Sequence, residues 1–195
     1  MKVDRVKLRR WGRWAGTFVG FPLAGVAARL AVGNVDTSRA AVIGGLVGGV
    51  VLGATQAIIG GIERGSRLRW IGATGAGLGV GLGVGAAAVG YRTDATSLVV
   101  MGAICGAAVG SAQALAVPLV PVDRLLWAVA TPVLWAGGWL ITAGVIVDAD
   151  RQHAVFGASG AVVVSVLAGL LYARWRVPAR TALSAAPGSS DRLAA

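Results

Sequence analysis

Two glutamines and two threonines are the polar residues whose spacing could form an interior site. Gln56 and Gln113 are 57 positions apart, as are Thr74 and Thr131, and all four lie within long apolar stretches. Their amides and hydroxyls could line a shallow site for a ligand or solute, with Trp135 as an apolar wall. Alternatively they link helices by hydrogen bonds, each contributing about 0.6 to 2 kcal/mol, and we favour this interpretation because glutamine and threonine commonly link membrane helices.

A second group of reactive side chains lies in the segment 148–153. Asp148 and Asp150 precede His153, the only histidine of the chain. This trio lacks the convergent spacing of a metal site, and a solvated loop is predicted instead. The single cysteine, Cys105, cannot form an internal disulfide and is interpreted as a small packing residue. We therefore expect no metal, no cofactor and no enzymatic activity.

Long apolar segments must position the polar residues. Hydrophobic residues make up 56% of the 195-residue chain and charged residues 13%, which is more apolar surface than a soluble domain of this size can bury. Six runs are long enough to cross a hydrocarbon core of about 30 Å as helices. They are 14–32, 40–62, 70–90, 97–120, 125–147 and 154–173. The predicted fold is an all-α, polytopic transmembrane bundle of six helices.

A pattern of residues recurs after 57 positions. Gly45, Gly49, Gly53, Gln56, Arg67, Trp70, Thr74 and Gly81 are matched by Gly102, Gly106, Gly110, Gln113, Arg124, Trp127, Thr131 and Gly138. The match predicts a duplicated helical hairpin, clearest between 45–81 and 102–138. Arg10 and Thr17 extend the register toward the N-terminus as part of a weaker third copy. We expect tandem hairpins related by an axis along the membrane normal.

Glycines spaced four residues apart predict close helix packing. Gly45, Gly49 and Gly53 share one face of the second span, and Gly102, Gly106 and Gly110 share one face of the fourth. Small residues in this spacing let helix backbones approach closely in lipid. From 75 to 85 the third span alternates glycine with apolar residues, which puts its glycines in two stripes. A strand would also alternate, but membrane barrels alternate polar with apolar residues, so a helix is predicted.

Positive charge predicts the orientation. With the N-terminus inside the cell, fourteen lysines and arginines face the cytoplasm and four face the other side, as the positive-inside rule requires. We expect a protein of the inner, cytoplasmic membrane with both termini in the cytoplasm. The chain has a net charge of +10, and its basic residues flank apolar spans. We therefore expect these residues to contact anionic lipid headgroups and not nucleic acid.

The tryptophans and the chain ends carry further predictions. Five tryptophans at the predicted cytoplasmic interface indicate membrane anchors: Trp11, Trp14, Trp70, Trp127 and Trp175. Residues 1–13 are predicted as a basic N-terminus, 14–173 as the transmembrane domain and 174–195 as a disordered tail. The start could instead be a signal peptide cleaved after Gly33, although its register with the later hairpins favours retention. Pro22 predicts a kink in the first span.

Two resemblances follow from these motifs. The run from Gly75 to Gly85 resembles the glycine-alternating helix of rotary-ATPase proteolipid subunits, which also use duplicated hairpins. That resemblance implies a membrane-embedded carboxylate, and no Asp or Glu lies within a predicted span, which argues against a proton-coupled rotor. The pattern G-x-x-x-G-x-x-x-G-x-x-Q, followed by Arg and Trp, is similar to small Gly-rich multi-spanning bacterial membrane proteins of unassigned function, and implies a location without an activity.

Two classes of function are therefore predicted. The glycine faces favour a non-enzymatic helix-packing scaffold or a subunit of a membrane complex, with another membrane protein or a second copy of the chain as partner. The alternative is a channel or carrier for a small neutral or apolar solute, with the glutamines and threonines as its site. An exposed glycine face around a dry interior would favour the subunit, whereas a continuous water-accessible cavity reaching Gln56 and Gln113 would favour the carrier.

Overall fold

The computed structural model describes residues 4–145 and 158–175. These residues form six helices joined by short connections and contain no strand, which confirms the all-α class and the six helices. The helices are α1 (Arg5–Val32), α2 (Ser38–Gly61), α3 (Arg64–Ala88), α4 (Ala95–Ala116), α5 (Pro121–Val145) and α6 (Ala158–Arg174). The predicted Asp148–His153 loop and residues 176–195 of the predicted tail lie outside the described part of the chain.

Five of the helices, α1 to α5, are long and apolar enough to cross a membrane, and α6 is a shorter apolar helix. Large apolar side chains cover the outside of the described bundle; Leu68 is 84% exposed and Val133 69%. In water such a surface would be unfavourable, because apolar area costs roughly 25 cal/mol per Å² to expose. These features support a membrane-spanning protein.

Short polar residues and prolines set the helix ends. The Asp4 carboxylate accepts from the amides of Val6 and Lys7 at the start of α1, and Asp94 accepts from the Ser97 amide at the start of α4. Such N-caps satisfy amides that have no partner within the helix. The fourth span, predicted to run to residue 120, ends at Ala116, and Pro121 begins α5, where a missing N–H costs nothing.

Consecutive helices pack side by side, and α6 returns to contact α1, so the helices form a closed ring. Glycine allows the close approach of α2 to α3. A β-carbon at Gly45 would lie 2.5 Å from the Leu78 carbonyl oxygen, and one at Gly49 would lie 2.6 Å from the Thr74 carbonyl oxygen. Helices α2 and α3 are therefore in direct backbone contact.

The other glycine rows are used in the same way. A β-carbon at Gly106 would lie 2.6 Å from Pro132 Cα of α5, one at Gly110 would lie 2.6 Å from Thr131 Cβ, and one at Gly102 would overlap Trp139. In α3 one glycine stripe faces α2 and the other faces α4: Gly75 and Gly79 toward Val50 and Leu46, Gly77 and Gly81 toward Val109 and Cys105. All these rows are covered by helices of the same chain.

Two helices depart from regular α geometry near the ring interior. In α1, residues Gly16–Val19 form a 3₁₀ turn just before Pro22, the proline predicted to kink this span. Proline cannot donate to the preceding turn, so the tighter turn falls where a regular hydrogen bond is missing. In α2, the last six residues, Gln56–Gly61, form a π-helix.

Candidate functional site

The two ends of the ring differ in charge. One end contains the start of α1, the α2–α3 and α4–α5 connections and the end of α6, and we call it the basic end because arginines such as Arg9, Arg64 and Arg174 are concentrated there. The α1–α2 and α3–α4 connections form the opposite end. Between them lie, in turn, an aromatic cluster, a layer of polar side chains and a set of cavities.

The glutamines predicted from the sequence meet inside the ring. Gln113 Nε2 donates to Gln56 Oε1 at 3.0 Å and to Thr74 Oγ1 at 2.9 Å, and both glutamines are buried. Trp70 Nε1 donates to Gln56 Oε1 at 3.1 Å, and Trp127 Nε1 donates to Gln113 Oε1 at 3.0 Å. These bonds join α2, α3, α4 and α5. We call Gln56, Thr74, Gln113 and Thr131 the polar layer.

The two hairpins make matching bonds. Each glutamine accepts from a tryptophan fourteen residues later, and each threonine donates to the carbonyl of the tryptophan four residues before it: Thr74 to Trp70 at 2.8 Å and Thr131 to Trp127 at 2.6 Å. Thr131 therefore bonds its own helix, whereas Thr74 also joins the glutamines. Trp135, predicted as an apolar wall, is buried with its ring 5.5 Å from Phe21.

The π-helix places Gln56 at the polar layer and opens the end of α2. Its wider turn frees backbone carbonyl groups, and Arg13 of α1 caps two of them: Nε donates to the Ile59 carbonyl at 3.0 Å and Nη2 to the Ile58 carbonyl at 3.2 Å.

The helix α2 continues through Gly60 and ends at Gly61, which has a φ of 85° that favours glycine. A β-carbon at Gly60 would lie 2.9 Å from the Trp14 ring, so α1 and α2 also touch directly here.

A cluster of aromatic rings closes the interior between the polar layer and the basic end. We call Trp14, Trp70, Trp127, Tyr172 and Trp175 the tryptophan cluster. Trp14 lies 5.8 Å from Trp70 and 5.4 Å from Trp127 and stacks on Tyr172 at 4.3 Å, measured between ring centroids. Trp175 lies 4.9 Å from Trp127 and 5.8 Å from Trp70.

The prediction that these tryptophans anchor the protein at the membrane interface is wrong. Trp14, Trp70, Trp127 and Trp175 are buried among the helices, and the partly buried Trp11 donates to the Val166 carbonyl of α6 at 3.1 Å. Ring closure explains the difference, because it packs α1, α3, α5 and α6 around these rings near the basic end. The indole N–H groups of Trp70 and Trp127 then find partners in the polar layer.

The 3₁₀ turn in α1 brings the third tryptophan into the cluster. Thr17 donates to the Trp14 carbonyl three residues earlier at 2.7 Å, whereas Thr74 and Thr131 reach back four residues. A 3₁₀ turn advances with three residues per turn. It therefore lets Trp14 and Thr17, which are one residue closer in sequence, occupy the same places as their counterparts in α3 and α5.

A small cavity of about 20 Å³ lies beside the polar layer, where a third glutamine is missing. Gln56, Gln113 and Thr131 line it on one side, and Ser165 and Ala168 of α6 line it on the other. The Ser165 hydroxyl is buried and has no hydrogen-bond partner among the residues that the structure describes. A cavity of this size can hold about one water molecule, which would have polar atoms to bind. A shift of 57 positions from Gln113 leads to Leu170, which is exposed and does not line this cavity.

Two larger cavities lie between the polar layer and the opposite end, and none of the four polar-layer residues lines either of them. The first, about 100 Å³, is the apolar chamber; its walls include Phe21, Leu52, Leu78 and Trp135. The second, about 160 Å³, is the vestibule, which reaches Arg29, Tyr91 and Arg92 at the opposite end. The two cavities share four lining residues: Gly25, Ala28, Leu82 and Trp139. They are therefore adjoining spaces inside the ring.

The basic end has a cavity of its own. About 590 Å³ in volume, it lies between the first turns of α1 and the two connections at this end, and Tyr172 and Trp175 form part of its wall. We call it the basic cavity. Its lining contains four arginines and one carboxylate: Arg5, Arg9, Arg10, Arg13 and Glu63. The tryptophan cluster separates it from the polar layer.

The interior is suited to binding neutral molecules. Amides, hydroxyls and indoles do not ionise near neutral pH. Among the described residues no group of three His, Cys, Asp or Glu is placed to hold a metal ion. Comparison of the chain with protein families, with curated proteins and with solved structures finds no match. Any function must therefore be argued from the cavities and the side chains that line them.

Proposed function

We propose that this protein is a membrane channel or carrier for a small neutral solute, and that the solute enters the ring from the opposite end. The observation that carries the proposal is the sequence of spaces inside the ring: the vestibule, the apolar chamber and the small cavity at the polar layer. The tryptophan cluster ends this sequence. In this proposal the tryptophan cluster closes the route toward the basic end.

The size and lining of the chamber favour a compact, largely apolar solute. An apolar cavity of about 150 Å³ in another protein binds benzene or xenon, and the chamber and vestibule are each of that order. Phe21, Leu82 and Trp135 offer only carbon surfaces, apart from one indole N–H, to a molecule in the chamber. The glutamine pair beyond them could accept or donate one or two hydrogen bonds if its own bonds rearranged.

The alternative, a packing scaffold or a subunit, loses its main support. That hypothesis rested on glycine faces that exceed what obvious chemistry needs, whereas the rows in α2, α3 and α4 are covered by neighbouring helices of this chain. Among the glycines inside the described helices, beyond their first turns, four have no atom within 4 Å of a β-carbon position, and no two of them are four residues apart: Gly12, Gly72, Gly137 and Gly144. If purification in mild detergent yielded a stoichiometric protein partner, that result would support the subunit hypothesis instead.

The positive-inside bias supports an orientation for this carrier. Among the described residues, ten lysines and arginines belong to segments at the basic end and three to segments at the opposite end. We place that end in the cytoplasm of a cell bounded by an inner membrane, so that the vestibule opens outward. A tag at Lys2 should resist protease added outside intact cells, and digestion of the tag would reverse the orientation.

Binding to the chamber is tested with iodobenzene, whose heavy atom quenches tryptophan fluorescence. Trp135 and Trp139 line the chamber, so we expect saturable quenching in the purified protein. Ala28→Leu fills the space shared by the chamber and vestibule and should weaken binding about tenfold, equivalent to about 1.4 kcal/mol. The matched control is Ala31→Leu on the exposed side of the same helix. Equal quenching in all three proteins would contradict the proposal.

Transport is tested separately by swelling of proteoliposomes in isobutyramide, a compact neutral solute with a largely apolar body, followed by light scattering. Trp14→Ala removes the central ring of the tryptophan cluster and should accelerate swelling relative to the unaltered protein. Trp11→Ala is the control, because Trp11 lies outside the cluster and contacts α6. No change in the rate with Trp14→Ala would mean that the cluster does not close the route.

A further inference from the structure

The basic cavity concentrates positive charge that the described part of the chain does not neutralise. Arg5, Arg9 and Arg13 follow each other at intervals of four residues, so they lie on one face of α1, where like charges repel. Within the described residues neither Arg5 nor Arg9 makes an ion pair, and the only carboxylate in the lining is Glu63. An anion is the group that would complete this cavity.

The nearest acid of α1 is already engaged. The Asp4 carboxylate accepts from the amides of Val6 and Lys7 and lies 3.6 Å from Lys7 Nζ. These hydrogen bonds and the ammonium hold the pKa of Asp4 below its ordinary value. Asp4 therefore acts as a helix cap and is not available to the arginines.

Two further arginines are held in place with donors left over. Arg10 Nη1 donates to the Trp175 carbonyl at 3.3 Å, and its guanidinium lies 4.9 Å from the centre of the Tyr172 ring. Arg13 donates through Nε and Nη2 to carbonyls of the π-helix, which leaves Nη1 uncommitted. A guanidinium has five N–H donors, so both side chains can bind an anion while they keep these bonds.

The shape and position of the cavity select the kind of anion. Besides arginines, its wall contains Val6, Ile62, Val117 and Leu119, so it is amphiphilic. It lies at the ends of apolar helices, which is the level of lipid headgroups. Planar guanidinium groups are suited to phosphate.

We propose that the basic cavity binds the phosphate headgroup of an anionic phospholipid, with Arg5 and Arg9 contacting the phosphate and the apolar wall contacting the glycerol and upper acyl chains. Arg10 links this site to Tyr172 and Trp175 of the tryptophan cluster. Occupancy of the site therefore alters the surroundings of the cluster. The proposal is independent of the solute in the chamber.

The test uses the purified full chain in mild detergent, with intrinsic tryptophan fluorescence as the signal. Short-chain phosphatidylglycerol is titrated, and short-chain phosphatidylcholine and inorganic phosphate are titrated in parallel. We expect saturable binding of phosphatidylglycerol. Phosphatidylcholine, which lacks net charge, and inorganic phosphate, which lacks an apolar part, should each bind at least about tenfold more weakly.

Charge-matched variants separate a site from general attraction. Arg5→Gln/Arg9→Gln removes two charges from the cavity and should weaken phosphatidylglycerol binding about tenfold or more. Lys7→Gln/Arg64→Gln removes two charges from the same end outside the cavity lining and should change binding less than about threefold. Arg5→Lys/Arg9→Lys keeps the charge and tests the guanidinium geometry.

Three results would overturn the proposal. An equal loss of affinity in the two charge-removal variants would show attraction to a basic surface without a site. Equal binding of phosphatidylcholine would remove the role of the anionic headgroup. Inorganic phosphate binding as tightly as the lipid would identify a free phosphate-class anion as the ligand, and the lipid assignment would be wrong.

Discussion

Replacement of Gln113 by leucine is the sharpest test of the polar layer. The Gln113 side chain makes three hydrogen bonds: it donates to Gln56 and Thr74 and accepts from Trp127. Leucine has a similar volume but cannot form any of them. After the substitution Gln56 still accepts from Trp70, whereas the buried Trp127 N–H loses its acceptor.

The expected loss of stability follows from this count. Hydrogen bonds between membrane helices contribute on average about 0.6 kcal/mol and at most about 1.7 kcal/mol each. Three such bonds give a loss of about 2 kcal/mol, with an upper bound of about 5 kcal/mol. Gln56→Leu removes two bonds, to Trp70 and Gln113, and should cost about 1.2 kcal/mol by the same average.

The measurement is the free energy of unfolding in mixed micelles, followed by tryptophan fluorescence. The double variant should recover about 0.6 kcal/mol of the summed losses, since one bond is shared by the two glutamines. Ser111→Leu is the matched control, because Ser111 lies two residues before Gln113 on the exposed side of α4. If Gln113→Leu costs no more than Ser111→Leu, the polar layer does not hold these helices together.

Three further predictions concern other parts of the chain. Gly49→Ala should destabilise the protein by about 1–3 kcal/mol, because the added methyl group would meet the α3 backbone. Gly72→Ala should be neutral or stabilising, because no atom lies near the position of the added methyl group. Thermal unfolding in detergent compares the two variants. Trp14→Ala should cost about 3–5 kcal/mol by the same assay. The Ser97 hydroxyl and amide donate hydrogen bonds to Asp94 and lower the pKa of its carboxyl below the ordinary value of 3.8. The wild type should therefore be more stable than Asp94→Asn at neutral pH, and this difference in the free energy of unfolding should disappear as the pH falls below 3.8.

Hydropathy and spacing predicted the helices and much of the polar layer. Apolar runs of about twenty residues are local features, so the number of helices and their approximate bounds could be read directly. The 57-residue spacing brought attention to Gln56 and Gln113, which the structure joins at 3.0 Å. A regular interval of fourteen residues between each glutamine and a tryptophan was also present, and it corresponds to the indole–amide bonds.

The inward or outward direction of each side chain could not be read in the same way. In lipid, apolar residues suit both the core and the outer surface, so hydropathy does not distinguish a buried tryptophan from one at the interface. For this reason the sequence predicts a position at the membrane interface for three tryptophans that are buried between the helices: Trp14, Trp70 and Trp127. The 3₁₀ turn in α1 could not be predicted from the sequence either, because it corresponds to a difference of only one residue between the spacing of Trp14 and Thr17 and the tryptophan–threonine spacing in α3 and α5.

From the sequence alone come the apolar helices, their charge asymmetry and the paired glutamines, since these depend on composition and on intervals along the chain. Tertiary structure decided that α6 closes the ring against α1, and this closure created the tryptophan cluster and the cavities on either side of it. Ser165 belongs to the interior only because of that contact. Closure joins residues about 150 positions apart, such as Trp11 and Val166, and no local pattern in the sequence specifies which distant helices will meet.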